Sequence, residues 1–151
     1  MVDVMESAGG IIYCVDNGEI KFFLIKRHSL AKKIERVAPK GKIEQGEQPQ
    51  NTVSREISEE AGINQENIVV EEKVGDTFIS LESEDKGVFK KNIQYFLVRY
   101  NGDFSDIKVD QVEGYLGYHK WATIQEVLGL IYYENLREIF RKAYNILKDR
   151  V

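Results

Sequence analysis

The stretch Gly41-Lys-Ile-Glu-Gln-Gly-Glu47-Gln-Pro49-Gln-Asn-Thr-Val-Ser-Arg55-Glu56-Ile-Ser-Glu59-Glu60-Ala-Gly62-Ile63 decides how the chain is read, because it gathers carboxylates that folding alone does not require. It reads as a loop, a helix and a stop. Pro49 suits the first helical turn, where a missing N–H costs nothing, and Gly62 suits the left-handed position just past the end, so the spacing predicts a helix over 49–61. Val53, Ile57 and Ala61 then form a narrow apolar stripe that can pack on a sheet. Glu56, Glu59 and Glu60 fall within roughly one 100° arc beside that stripe, so their carboxylates are expected to converge. Glu56 and Glu60 are like charges one turn apart, unfavourable unless something positive lies between them. A hard divalent cation, Mg²⁺ or Mn²⁺, would supply that charge. A solvated acidic face is the other reading of the same residues, and Arg55, able to pair with Glu59, fits both.

The whole chain bounds the answer from outside. Its 151 residues, 42% hydrophobic and 11% aromatic, suit one globular domain over 1–151 with a real core. No apolar run approaches the roughly 20 residues that span a bilayer, and the N-terminus lacks a basic region followed by an apolar one. A soluble, cytoplasmic protein with no membrane partner is expected. The net charge of −4 gives no global field to attract nucleic acid, so a phosphate-rich ligand would need a metal and a few placed lysines. Cys14 stands alone in an apolar run and is expected to be a buried, inert thiol.

The 23 residues from Gly41 to Ile63 resemble the signature of the Nudix hydrolase family. That signature is Gly, five residues, Glu, seven residues, Arg-Glu, an aliphatic, any residue, Glu-Glu, any residue, Gly, aliphatic; Gly41, Glu47, Arg55, Glu56, Ile57, Glu59, Glu60, Gly62 and Ile63 fill every specified position. The resemblance implies an α/β fold in which a mixed sheet is sandwiched between the signature helix and the C-terminal helix. It also implies an enzyme, a pyrophosphohydrolase acting on a nucleoside diphosphate linked to another group. Glu56, Glu59 and Glu60, helped by the Gly41 carbonyl, would hold the metal. Glu47 and Arg55 would brace the loop and orient those glutamates.

The rest of the chain supplies the remaining elements. Ile11 to Val15 and Lys21 to Lys26 flank the turn Asp16-Asn-Gly18-Glu19 and predict a hairpin, with Gly9-Gly10 marking a bulge or a close backbone approach. After the signature helix, 67–74 and 77–81 read as two strands broken at Gly75-Asp76. Phe89 to Tyr100, bulky on both faces, reads as a central strand. Thr123 caps a short helix expected to stop at Gly129, and a last helix is expected over 133–148 with Leu136, Ile139, Phe140, Ala143 and Leu147 inward.

Selectivity is expected outside the signature. Pro39-Lys40-Gly41 resembles relatives that cleave dinucleoside polyphosphates or inositol pyrophosphates, and Lys91 ahead of Tyr95-Phe96-Leu97 resembles a phosphate-facing lysine of the dinucleoside tetraphosphate branch. His28 is either a solvated loop residue or a phosphate contact. Trp121 to Leu128 followed by Tyr133-Glu-Asn-Leu-Arg resembles the C-terminal part of that branch, where the aromatic at Tyr133 stacks on adenine; packing at a helix start is the other reading. Glu113 fits a further glutamate that some relatives recruit as metal ligand or general base, a role that Glu59 also suits. The resemblance therefore favours a small nucleotide substrate, diadenosine tetraphosphate cut to ATP and AMP. A nucleoside triphosphate pyrophosphatase and a non-catalytic nucleotide- or RNA-binding module are the alternatives. Oligomeric state is not written in the sequence.

Overall fold

The computed structural model describes residues 4–28, 34–83, 87–107 and 115–151. Strand β1 (Val4–Asp16) is the pivot. It runs parallel to β6 (Gly87–Tyr100) from Val4↔Lys90 to Tyr13↔Arg99. On its other side it changes partner: its far end forms the hairpin with β2 (Glu19–His28), from Tyr13↔Phe22 to Asp16↔Glu19, while Ser7 to Gly9 pair with β4 (Lys40–Lys42). The hairpin turn is Asn17-Gly18, with φ of 52° and 79°, the left-handed pair that a tight two-residue connection requires.

β1 and β2 therefore part company, and the chain from β3 (Ile34–Val37), which pairs with the end of β2, to β4 fills the fork between them. β5 (Ile68–Ser83) lies outside β6, and β7 (Tyr115–Ala122) lies on the other side of β2. The main strand order is β3-β2-β1-β6-β5, so β6 is interior, as the sequence suggested.

Helices cover both faces. α1 (Pro49–Ala61) has the bounds expected from Pro49 and Gly62, and Gly62 takes the left-handed conformation (φ 64°) with its N–H on the Ser58 carbonyl. Val53, Ile57 and Ala61 are fully buried against Ala8, Ile12, Phe96 and Val98. The Gly9-Gly10 pair is a close approach: a Cβ on Gly10 would stand 2.8 Å from Ile57 Cδ1 and 3.2 Å from Val53 Cγ1. On the opposite face α2 (Ile124–Leu130) and α3 (Glu134–Leu147) cover Ile11, Phe22, Leu24, Ile93 and Leu97, with Phe140 edge-on to Phe22 at 5.4 Å. The result is the mixed sheet between helices that the sequence implied.

Three local expectations are corrected. The segment read as two strands is one 16-residue strand, because Gly75-Asp76 sits beside register shifts that β5 absorbs while still pairing with β6. α2 runs past Gly129 to Leu130: its capping box, Thr123 with Glu126, fixes the start, and the last turn closes through the Ile131 N–H on the Val127 carbonyl. α3 begins at Glu134, with Tyr133 as the residue just ahead of it. Cys14 is buried, and burial pushes its thiol up to about 11, well away from the reactive thiolate.

Candidate active site

The fork between β1 and β2 gathers the polar chemistry. One arm carries Arg27 and Glu35, the other Lys40 and Gly41, and α1 leaves the second arm through the loop 43–48.

Arg55 organises that loop. Its Nε and Nη2 grip Glu47 at 2.9 and 3.0 Å, Nη2 also donates to the Lys42 carbonyl at 3.0 Å, and Nη1 reaches Glu56 at 2.8 Å and Glu59 at 3.3 Å. Glu47 is closed from the other side by the Thr52 hydroxyl at 2.6 Å and the Glu44 N–H at 3.1 Å. A bidentate guanidinium–carboxylate pair with two further donors is a geometric clamp. These donors, Arg55 foremost, then Thr52 and the Glu44 backbone, hold the Glu47 carboxyl down to about 2. A depressed carboxylate contributes stability above its ordinary range and loses it as pH falls through the folded value. Glu47→Gln is therefore expected to lower the thermal midpoint at neutral pH, with the gap from wild type narrowing below about pH 4. Thermal unfolding followed by circular dichroism between neutral and strongly acid pH checks this; a gap independent of pH would show that the charge is not what matters.

The three signature glutamates do not behave alike. Glu56 is buried, and its carboxyl group is hydrogen-bonded to Glu60 as well as to Arg55. Burial pushes its pKa up, with Arg55 pulling against that. Glu60 accepts the Lys40 backbone N–H at 3.0 Å. Glu59 stands apart, its side chain 57% exposed and drawn to Arg55. Among the described residues no three His, Cys, Asp or Glu side chains form a group that could hold a metal ion. Glu56 and Glu60 thus meet directly, while exposed Glu59 is linked to Glu56 through the Arg55 Nη1 that both share.

A hard cation nevertheless fits this donor set. Glu56 and Glu60 bring oxygen ligands into contact, and one guanidinium is shared among Glu47, Glu56 and Glu59. Gly41 completes the cradle: a Cβ there would overlap the Glu56 carboxyl group. Gly41→Ala must displace that carboxylate, so a loss of turnover of about tenfold or more is expected with a much smaller change in thermal midpoint. Parallel kinetics and unfolding curves check this, and an alanine variant of normal turnover would mean the carboxylate position is unimportant.

Beside the carboxylates, on the other side of Lys40, lies a cavity of about 230 Å³. Val37, Ile79, Ile93 and Leu136 give it an apolar lining, Arg27, Lys40 and Lys91 bring positive charge, and Tyr95, Tyr133, Thr77 and Asn135 supply polar tips. Burial pulls the Lys40 ammonium down to about 7, with Lys91 and Arg27 adding to the shift and Glu60 opposing it. Tyr133 is 40% exposed and meets Tyr132 edge-to-face at 5.3 Å. Its hydroxyl bonds to Glu35, which with burial raises its pKa.

Of the residues singled out by sequence, Lys40, Lys91 and Tyr133 thus share one cavity, and Gly41, Glu47, Arg55, Glu56, Glu59 and Glu60 share the adjoining loop and helix. His28 closes β2, but its side chain lies outside the described part, and Glu113 lies wholly outside the described residues. Arg27, Thr77, Glu35 and Asn135 were not singled out. Glu35 carried one readable signal, an acid set with Arg36 between the apolar Ile34 and Val37.

The NUDIX domain model matches residues 6–143. The chain is 27% identical over 143 residues to the asymmetrical bis(5'-nucleosyl)-tetraphosphatase of Caenorhabditis elegans, spanning 92% of this chain and 94% of that protein. Its fold is similar to that of a C. elegans Ap4A hydrolase binary complex, with a TM-score of 0.76 at 23% identity over 96% of this chain and 98% of the other. It is similar also to the E. coli dihydroneopterin triphosphate pyrophosphohydrolase, with a TM-score of 0.72 at 17% identity over 94% and 97% of the two chains. At such identities the structural likenesses speak to fold alone. No helix among the described residues is long and apolar enough to cross a membrane. The family match runs through the whole Gly41–Ile63 signature and most of the chain around it, so the chain belongs to the NUDIX domain family and is a Nudix hydrolase of a pyrophosphate bond.

Proposed function

We propose that this enzyme hydrolyses dinucleoside tetraphosphates asymmetrically, diadenosine tetraphosphate to ATP and AMP, with Mg²⁺ or Mn²⁺ as its metal. The observation that carries the reading is the cavity itself: an apolar space of about 230 Å³ with Tyr133, Arg27, Lys40 and Lys91 in its lining, joined to the carboxylates through the Lys40 N–H on Glu60. That volume suits one purine base, and the cations suit the phosphates that follow it. The activity named for the C. elegans relative points the same way.

In this reading Glu56, Glu59, Glu60 and the Gly41 carbonyl hold the metal. When bound, such an ion neutralises phosphate oxygens and makes a water more acidic. The protein does the rest. Tyr133 stacks on the adenine, while Lys40 and Lys91 line up the phosphate chain, a role in which His28 is proposed to join them. Glu59 or Glu113 takes the proton from the attacking water, whose oxygen bonds to phosphorus as the bridging oxygen leaves with its electron pair. Glu47 and Arg55 keep the loop rigid beneath Glu56.

A nucleoside triphosphate pyrophosphatase is the second reading, favoured by the room for a single base. Comparing kcat/KM for dinucleoside polyphosphates, nucleoside triphosphates, ADP-ribose and inositol pyrophosphates tests both. The proposal expects dinucleoside tetraphosphates to lead; nucleoside triphosphates ahead by tenfold or more would move the enzyme to the second reading.

A further inference from the structure

Glu35 is a buried acid on a short strand, its side chain 7% exposed, while its neighbour Ile34 is 63% exposed. This inversion of the usual pattern is not something the fold needs, since an apolar residue facing inward would pack at least as well. The carboxylate has partners from two other elements. Arg27 on β2 donates through Nε at 2.8 Å, and the Tyr133 hydroxyl, just ahead of α3, donates as well. Arg27 and Tyr133 both line the cavity, and Tyr133 has no side-chain capping bond to fix it from its own helix.

We propose that Glu35 is a positioning residue for base recognition, tying the Tyr133 ring and the Arg27 guanidinium into one unit at the cavity and setting affinity for the base without touching the reacting phosphate. A ring anchored at its hydroxyl presents a fixed face. Stacking then avoids the cost of freezing it on binding, worth about threefold to tenfold in affinity. The inference rests on the nucleotide reading of this cavity.

Three variants, Glu35→Leu, which removes the acceptor, Tyr133→Phe and the two combined, test it. Calorimetric binding of ATP in EDTA reports base and phosphates together, and inorganic tripolyphosphate reports phosphates alone. Each single variant should weaken ATP about threefold to tenfold and leave tripolyphosphate no weaker than in wild type. The double variant should lose no more than either single one, because both act through the same bond. KM for diadenosine tetraphosphate should rise in step while kcat holds within twofold. The proposal is overturned if Glu35→Leu binds ATP within twofold of wild type, if ATP and tripolyphosphate weaken equally, or if the two losses multiply. Should Glu35→Leu fail to fold, a Tyr133→Phe variant binding ATP as tightly as wild type overturns it alone. Wild-type protein that binds ATP but leaves diadenosine tetraphosphate uncut would reject the substrate reading, while the ATP comparison still decides on Glu35.

Discussion

Glu56→Gln and Glu60→Gln are each expected to lower metal-supported turnover at least about 100-fold while leaving the fold intact. The fold should survive because Glu56 already sits where burial disfavours its charge, so a neutral amide of the same shape is tolerated there. Glu60 would keep an acceptor for the Lys40 N–H, since the glutamine amide oxygen can replace the carboxylate oxygen now bonded at 3.0 Å. Turnover should fall because the two carboxyl groups are in mutual contact, and a neutral amide is a far poorer ligand for a hard cation. Glu59, exposed and held by Arg55, must give up that pair to join them. Turnover of either glutamine variant within threefold of wild type at saturating Mg²⁺, with an unchanged unfolding curve, would remove these residues from the metal site.

Tyr133→Ala should raise KM for adenine-bearing substrates by about tenfold or more, since a base–aromatic stack is worth about 1–3 kcal/mol. The loss should not extend to inositol pyrophosphates, whose saturated ring offers no aromatic face to stack. Tyr133 is 40% exposed and lies ahead of α3 rather than among the buried residues of that helix, so its truncation costs little core packing. Equal losses on an adenine nucleotide and an inositol pyrophosphate would instead make the ring a wall of the cavity.

How much of this was legible in the sequence differs between the two halves of the site. α1 could be bounded to the residue because a proline, a glycine and an apolar stripe agree with one another. The direction of Glu59 could not, because helical spacing fixes where a side chain leaves the helix and says nothing of a guanidinium that competes for it. β3 was missed for a different reason. Four residues are too short to show alternation, and of the two that point inward, Glu35 and Val37, one is an acid held by Arg27 and Tyr133 from distant parts of the chain. The continuity of β5 was hidden by Gly75, which reads as punctuation locally but is paired to Tyr95 across the sheet. Charge pattern and spacing are local and survive in sequence; a cavity assembled from β2, β3, β4, β5, β6 and α3 exists only after the fork between β1 and β2 has been built.

The most direct test of the account is to identify the products formed from diadenosine tetraphosphate and Mg²⁺ by chromatography at early times. Equal amounts of ATP and AMP are predicted, with both disappearing in Glu60→Gln. Two molecules of ADP, or an uncut substrate alongside brisk release of pyrophosphate from a nucleoside triphosphate, would contradict it.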